Sequence, residues 1–393
     1  MIKSNLRGFF AVTALLIFAA LPVLAEPTKV TFLHTNDLYE ISPRRGHGGL
    51  GQLMTLIKAE RATSANTITT FGGDLLSPSV MSGLTKGEQM IALMNAIGVD
   101  VAVPGNHEFD FGPDIALERF AASKFTWLAT NLSDGTGQAL AGTTPLMIRK
   151  VGDFNIGFFG LVTPETETLS SPGKNIKFAP VVETAKSAVA KLKQMGAHMI
   201  VAITHLAMDQ DRLLRKSVKG INLILGGHDH EPITHYDRGV LIHKSGTDAQ
   251  YLGVIDVTLD WTEKRGKKVL QVRPQWRMIS TAGVTPDAGL QKAIDGYTAR
   301  LDKELEVVIG TTSVELDSRR SSVRGGETTM GNLIAEALRA ELGADVGFAN
   351  GGGIRGDRTY DAATKLTRKD ILTELPFGNV TLLLELSGAD LWR

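Results

Sequence analysis

The chain alternates short apolar runs with helical patterns, and polar residues gather where the apolar runs end. Val30 to Leu33 leads into His34-Thr35-Asn36-Asp37, and Thr67 to Phe71 leads into Gly72-Gly73-Asp74. Val99, Val101 and Val103 alternate as in a buried strand, stop at Pro104-Gly105, and give way to Asn106, His107, Glu108 and Asp110. Met199 to Ile203 delivers Thr204-His205, and Ile221 to Leu225 delivers Gly226-Gly227-His228-Asp229-His230. Between these runs the spacing of Leu50, Leu53, Leu56 and Ile57, and of Met90, Leu93, Met94 and Ile97, predicts helices. The alternation predicts an α/β fold. Polar loops at the carboxyl ends of strands in an open α/β sheet face one crevice, so these loops are expected to converge.

Other segments run or alternate without intervening helices. Phe125 to Leu132, a hairpin from Leu146 to Leu161 turning at Gly152-Asp153, Val240 to His243, and Tyr251 to Trp261 predict a second, more antiparallel sheet. The expected architecture is two sheets face to face with helices outside, over residues 26–285. Within 286–310, Leu290, Ile294, Tyr297, Leu301 and Leu305 predict one amphipathic connecting helix. From residue 311 a second domain is expected. There Glu327 to Asn332 opens a helix reaching Leu342, and Asp345 to Ala349 reads as a strand leading into Asn350-Gly351-Gly352-Gly353-Ile354-Arg355. Asn379 to Leu386 reads as another strand, with Ser387 as a helix N-cap.

Composition narrows the setting. Of 393 residues 43% are hydrophobic and 21% charged, an ordinary globular balance with length for two domains. The formal charge is +0, which offers no electrostatic argument for a nucleic acid polymer or an anionic membrane, and no protein partner is implied. Lys3 and Arg7 precede an apolar run from Gly8 to Leu21, and Val23-Leu24-Ala25 supplies small residues for cleavage. The expectation is an exported protein cut after Ala25, with no later segment able to span a bilayer. The chain has 0 cysteines, so disulfides and thiolate ligands are excluded. An exported protein without disulfides suits a bacterial periplasm.

Asp37, Asp74, Asn106, His205, His228 and His230 lie on five separate strand-end loops and offer only oxygen and imidazole nitrogen. Two divalent ions roughly 3.5–4 Å apart need such a ligand set to clamp both oxygens of an in-line phosphoryl displacement. His34, His198, His235 and His243 read as structural histidines. His-x-His is the stronger signal, because an extended segment turns both imidazoles to one side.

In order, His34-Thr35-Asn36-Asp37, Gly72-Gly73-Asp74, Gly105-Asn106-His107-Glu108, Thr204-His205 and Gly226-Gly227-His228-Asp229-His230 resemble the motifs of the calcineurin-like metallophosphoesterases. More narrowly, the chain is similar to the bacterial periplasmic 5′-nucleotidase and UDP-sugar hydrolase group from about Val30 onward. The resemblance implies a four-layer αββα catalytic domain and two divalent metal ions, zinc, manganese or iron. It implies that Asp74 bridges them, that Asp37 and His230 serve one site, and that Asn106, His205 and His228 serve the other. It further implies that His107, oriented by Asp110, stabilises the transferring phosphoryl group or leaving oxygen, with a metal-bound hydroxide as nucleophile.

One position departs from the pattern. The family's first motif reads Asp-x-His, and here its third residue is Tyr39. A tyrosinate can ligate a metal, Glu40 or His47 can fill the gap, or Tyr39 packs and leaves that site weaker.

The second domain is similar to the substrate-binding domain of the same nucleotidases. Asn350, Gly352 and Arg355 belong to the matching Asn-Gly-Gly-Gly-Ile-Arg motif, with Arg355 suited to phosphate, and Asn379 ends the matching Leu-Pro-Phe-Gly-Asn. The family's second domain continues beyond the point where this sequence stops, so a fragment is expected, with the base-stacking aromatic pair outside it. The expected activity is hydrolysis of nucleotides. Its rivals are a 2′,3′-cyclic-nucleotide phosphodiesterase, a UDP-sugar pyrophosphatase, and a non-catalytic nucleotide- or metal-binding protein.

Overall fold

The computed structural model describes residues 27–377 and 379–391, so the expected signal sequence and its cleavage point, together with Trp392-Arg393, lie outside the described residues. The chain starts with β1 (Thr28–Thr35), α1 (Leu50–Thr63), β2 (Thr67–Phe71), α2 (Val80–Thr85), α3 (Glu88–Ile97), β3 (Val101–Ala102), α4 (Pro113–Ala122), β4 (Thr126–Leu128) and β5 (Thr143–Thr144). Helices carry the chain back between β1, β2, β3 and β4, the connection that makes neighbouring strands parallel, and β1 to β5 pair in parallel.

Next come β6 (Leu146–Val151), β7 (Phe154–Val162), α5 (Val181–Gln194), β8 (Met199–His205), α6 (Met208–Ser217), β9 (Leu223–Gly226), β10 (Pro232–Asp237) and β11 (Val240–Ser245). These strands form a second sheet in the order β10-β11-β9-β8-β7-β6. A 14-residue pair, β12 (Tyr251–Lys264) and β13 (Lys267–Ser280), then returns to the first sheet, whose order is β13-β12-β1-β2-β3-β4-β5.

Two packed sheets flanked by helices are what the pattern predicts, but the strands are shared out differently. β8 and β9 belong to the second sheet, whose centre is parallel, because α5 and α6 supply crossovers from β7 to β8 and from β8 to β9. β12 belongs to the first, where it pairs antiparallel with β1. The two sheets meet through side chains such as Phe32 and Phe158, ring centroids 6.3 Å apart and edge to face. The carboxyl ends of β1, β2 and β3 in one sheet and of β8 and β9 in the other therefore open on the same side.

Helix α7 (Ala288–Leu305) starts at Asp287, whose carboxylate accepts the Leu290 N–H at 3.0 Å, and buries Leu290 and Ile294 against α1 and α3. Beyond it lie β14 (Val308–Thr311), β15 (Leu316–Asp317), α8 (Arg320–Val323), α9 (Thr329–Leu342), β16 (Thr359–Tyr360), β17 (Lys365–Thr367) and α10 (Arg368–Glu374). A small core of Leu316, Met330, Ile334, Ile354, Tyr360 and Leu366 holds them together. Residues 345–349 and 379–386, expected as strands, form none; Phe348 is 75% exposed and Leu382 73%. An apolar run becomes a strand only where a neighbour completes its hydrogen-bond ladder, and among the described residues none does so here. Ser387 does cap the short helix Gly388–Leu391, accepting the Asp390 N–H at 3.3 Å.

Candidate active site

Four polar strand-end residues sit in left-handed backbone: Asp37 (φ 52°), Asp74 (φ 65°), His228 (φ 82°) and His230 (φ 59°). Each such placement of a non-glycine residue costs about 1–3 kcal/mol and persists only where the surroundings enforce it. Here they do. Asp37 N–H donates to Gly73 O at 2.9 Å and Leu38 N–H to Asp74 O at 2.9 Å, while His228 N–H donates to Asp37 Oδ2 at 2.9 Å. Gly73 has φ 88°, and a Cβ there would lie 2.6 Å from His205 Nδ1, so only glycine lets these two loops close on each other.

The side chains converge around Asp74, which is buried. Its Oδ2 lies 3.1 Å from the Tyr39 hydroxyl, 3.2 Å from His205 Nε2 and 3.9 Å from His107 Nε2. The Tyr39 hydroxyl is also 3.2 Å from Asp37 Oδ1 and 2.8 Å from His230 Nε2, which itself stands 3.3 Å from Asp37 Oδ1. On the other side His205 Nε2 is 3.2 Å from His228 Nδ1. The side-chain Oδ1 of Asn106 is buried and has no hydrogen-bond partner among the described residues.

Five of the six expected donors, Asp37, Asp74, His205, His228 and His230, thus come together and Tyr39 joins them, while Asn106 stands on the adjoining loop after β3. Glu40 and His47 do not join them: His47 is exposed on the Arg44–His47 turn, and Glu40 adjoins Asp248. Burial, reinforced by the charge of Asp248, raises the Glu40 pKa to about 7.

His107 Nδ1 is 2.7 Å from Asp110 Oδ2, and Asp110 Oδ1 accepts from the Ser170 hydroxyl at 2.7 Å. Burial alone would lower the His107 pKa, but the Asp74 charge and the Asp110 hydrogen bond and charge outweigh it and raise it to about 9. Burial likewise works against protonation of His205, and Asp74 again prevails, lifting it to about 9. Asp74 itself is held far below the ordinary carboxylate range: burial opposes this, but the two histidines win.

The second domain reaches this cluster. Phe377 stacks on His107, centroids 6.1 Å apart with 25° between the planes, and the Arg355 guanidinium lies 5.0 Å from the Phe377 ring centre. Asn350 caps the Gly351–Gly353 turn through Gly352 N–H at 2.9 Å and leaves Arg355 to face the site. Asn379 is exposed and makes no hydrogen bond among the described residues. Sequence reasoning missed Phe377, although it lies in the Leu-Pro-Phe-Gly-Asn run, and missed Ser170, which carries no sequence signal.

It also gave Glu108 no role. Its buried carboxylate accepts N–H groups from Asp74 (3.0 Å), Leu75 (2.5 Å), Leu76 (3.3 Å) and Gly105, tying the loop after β2 to the loop after β3.

Residues 30–232 match the family model described as calcineurin-like phosphoesterase, about half of the chain. The chain belongs to the calcineurin-like phosphoesterase family. Residues 308–393 match the 5′-nucleotidase C-terminal domain, so this family member pairs the two domains of 5′-nucleotidases and is a metal-dependent phosphoesterase of that kind. A trifunctional nucleotide phosphoesterase of Bacillus subtilis (strain 168) is 29% identical over 91% of this chain, which spans 27% of that protein. The 5′-nucleotidase of Bos taurus is 27% identical over 97% of this chain and 74% of its own length. In fold, the 5′-nucleotidase precursor from Thermus thermophilus matches with a TM-score of 0.74 at 24% identity, covering 89% of this chain and 74% of that one.

Members of this family use divalent metals, and the residues present fit such a cation. Asp37, Asp74 and His230 bring their ligating atoms within 4.8 Å of one another. Separations of 3.1 Å for Tyr39–Asp74, 3.2 Å for His205–Asp74 and 3.3 Å for His230–Asp37 match the edges expected when oxygen and nitrogen sit roughly 2.0–2.2 Å from a common ion. The buried, unpartnered Asn106 oxygen is an acceptor awaiting a cation. His205 Nδ1 donates to Gly72 O at 2.8 Å, which turns Nε2 toward Asp74 as the atom a cation would take in place of a proton.

Proposed function

We propose that the protein is an exported, two-metal phosphoesterase that removes phosphate from nucleotides. One observation carries the reading: Asp74 Oδ2 stands 3.1 Å from Tyr39 and 3.2 Å from His205, so one carboxylate oxygen faces two donor groups at once. In this reading Asp37, Tyr39 and His230 would hold one ion, Asn106, His205 and His228 the other, and Asp74 would serve both. Bound there, divalent ions would supply Lewis acidity and the activation of a water near neutral pH. The chain's own groups do the rest.

His107, fixed by Asp110, offers its Nε2 side to the phosphoryl or leaving oxygen. Arg355 pairs with the phosphate, and Phe377 supplies an apolar face for the nucleoside. Asn350 and Gly352 shape the Arg355 turn, and Asn379 follows Phe377 by two residues as a further candidate contact. Residues 26–285 form the catalytic domain, 286–310 the connector and 311 onward the substrate domain. Export follows from Lys3, Arg7, the Gly8–Leu21 run and Val23-Leu24-Ala25, with a periplasmic or secreted destination. Among the described residues no helix is long and apolar enough to cross a membrane.

The test is metal analysis of the protein purified from Glu26 onward, followed by phosphate release from nucleoside 5′-monophosphates, 2′,3′-cyclic nucleotides and nucleotide sugars. Two divalent ions per chain and release from the 5′-monophosphates are expected. Preference for a cyclic or sugar nucleotide overturns the monoesterase assignment. Two ions with no turnover would make it a binding protein.

A further inference from the structure

Lys244 stands on β11 with its whole side chain buried, 0% exposed, beneath the loops that carry three histidines. Its ammonium donates to Leu206 O at 2.5 Å and to Gly227 O at 2.8 Å, lies 3.0 Å from Asp211 Oδ2, and pairs with the Asp229 carboxylate. The positions of these partners are the point. Leu206 follows His205, Gly227 precedes His228, and Asp229 separates His228 from His230. Thr204, on the other flank of His205, donates to Asp211 Oδ1 at 2.8 Å.

An ammonium taken out of water is costly, and here two carboxylates and two carbonyls offset that cost. A buried ion pair that served packing alone could sit anywhere in the core. This one contacts the residues flanking all three histidines.

We propose that Lys244 is a positioning residue for the metal centre: one ammonium locks the β8 and β9 loops together and so sets the angle at which His205, His228 and His230 meet the ions. The inference rests on the metal assignment above. Carbonyls and carboxylates behind a histidine loop act as outer-shell partners, and losing such a partner lowers metal affinity about 10–100-fold.

Lys244→Met keeps the apolar stem and removes the ammonium. The metal-free parent and variant are titrated with Mn²⁺ by calorimetry, and their Co²⁺ complexes are compared by visible absorption. Two-ion uptake is expected in the parent. In the variant affinity should fall about 10–100-fold, chiefly at the His205–His228 side, with a shifted Co²⁺ band. If Lys244→Met does not fold, Asp229→Asn decides, because Asp229 is 25% exposed at its side chain and Asp211 still faces the ammonium. It is expected to keep a cooperative melting transition in the metal-free state, at a lower temperature, and to weaken uptake. Parent-like affinity and an unshifted Co²⁺ band in the folded variant overturn the positioning role. A parent that takes up no metal overturns the proposed function itself, and this inference with it.

Discussion

Tyr39 is the residue at which this chain leaves its family's pattern, and the structure turns its hydroxyl toward the cluster, 2.8 Å from His230 Nε2. Burial and the charges of Asp74 and Asp37 push the phenol's pKa well above its usual value, so without a cation it serves as a donor to those carboxylates. An ion there would exchange that proton for a hard anionic oxygen. Tyr39→Phe keeps the ring and removes the oxygen; its expected result is weaker uptake at the Asp37–His230 side, by about tenfold or more, read by calorimetric titration. Equal affinity in parent and variant would reduce Tyr39 to packing. His107 makes a different demand. As a group acting on the phosphoryl oxygens rather than a ligand, its replacement in His107→Ala should lower kcat by about 10²–10⁴ with metal content unchanged, measured by steady-state kinetics beside elemental analysis. Co-loss of metal would mark it as a ligand instead.

Among the elements, the strand-end loops depend on clamps as much as on ligands. Glu108 gathers N–H groups from two loops, and Glu108→Gln would turn an amide N–H₂ toward donors that need an acceptor. Unpaired buried groups of this kind cost on the order of 1–3 kcal/mol each, so the metal-free variant should unfold at clearly lower urea than the parent. An unchanged urea midpoint would show that the clamp carries no stability. The strand-end loops were legible in the sequence because a short apolar run and a polar cluster recur at β1, β2, β3, β8 and β9, with glycine at the β2, β3 and β9 ends. Which sheet each strand joins was not legible, since β8 and β12 carry similar apolar runs and only the crossover through α5 and the return to β1 separate them. Lys244 was hidden for a related reason. In the Val240–Ser245 run it reads as a strand's solvent-facing residue, and its burial depends on the loops folded over it from β8 and β9. Val346 and Phe348 mislead in the opposite sense, being apolar and alternating yet exposed and unpaired.

At the scale of the whole molecule, His34 and His243 lie where the sheets meet: His34 Nε2 is 3.0 Å from Gly226 O, and the two rings are 6.2 Å apart. Burial lowers their pKa values to about 4 and about 3, so both are neutral in the folded protein. The unfolded chain takes up protons near pH 6.5 and the folded one does not, so their stability contribution is complete above that pH and is lost as pH falls toward 4. Each should cost about 2–3 kcal/mol at roughly pH 4.5. Urea unfolding at about pH 7.5 and about pH 4.5 measures it, and His243→Leu should flatten the difference; an equal slope in that variant would exclude the pair as the cause. A last consequence concerns traffic. Phe377 lies 6.1 Å from His107, less than the roughly 7 Å that a flat group slipped between two rings requires. A flat group could enter between them only if the two rings parted. Arg45–Asp357, at 2.9 Å, and Lys369–Asp302 fasten the second domain, and both are solvent-exposed pairs, each worth about 0–1 kcal/mol. Salt screens both pairs, so the attachment they give the second domain should weaken as ionic strength rises.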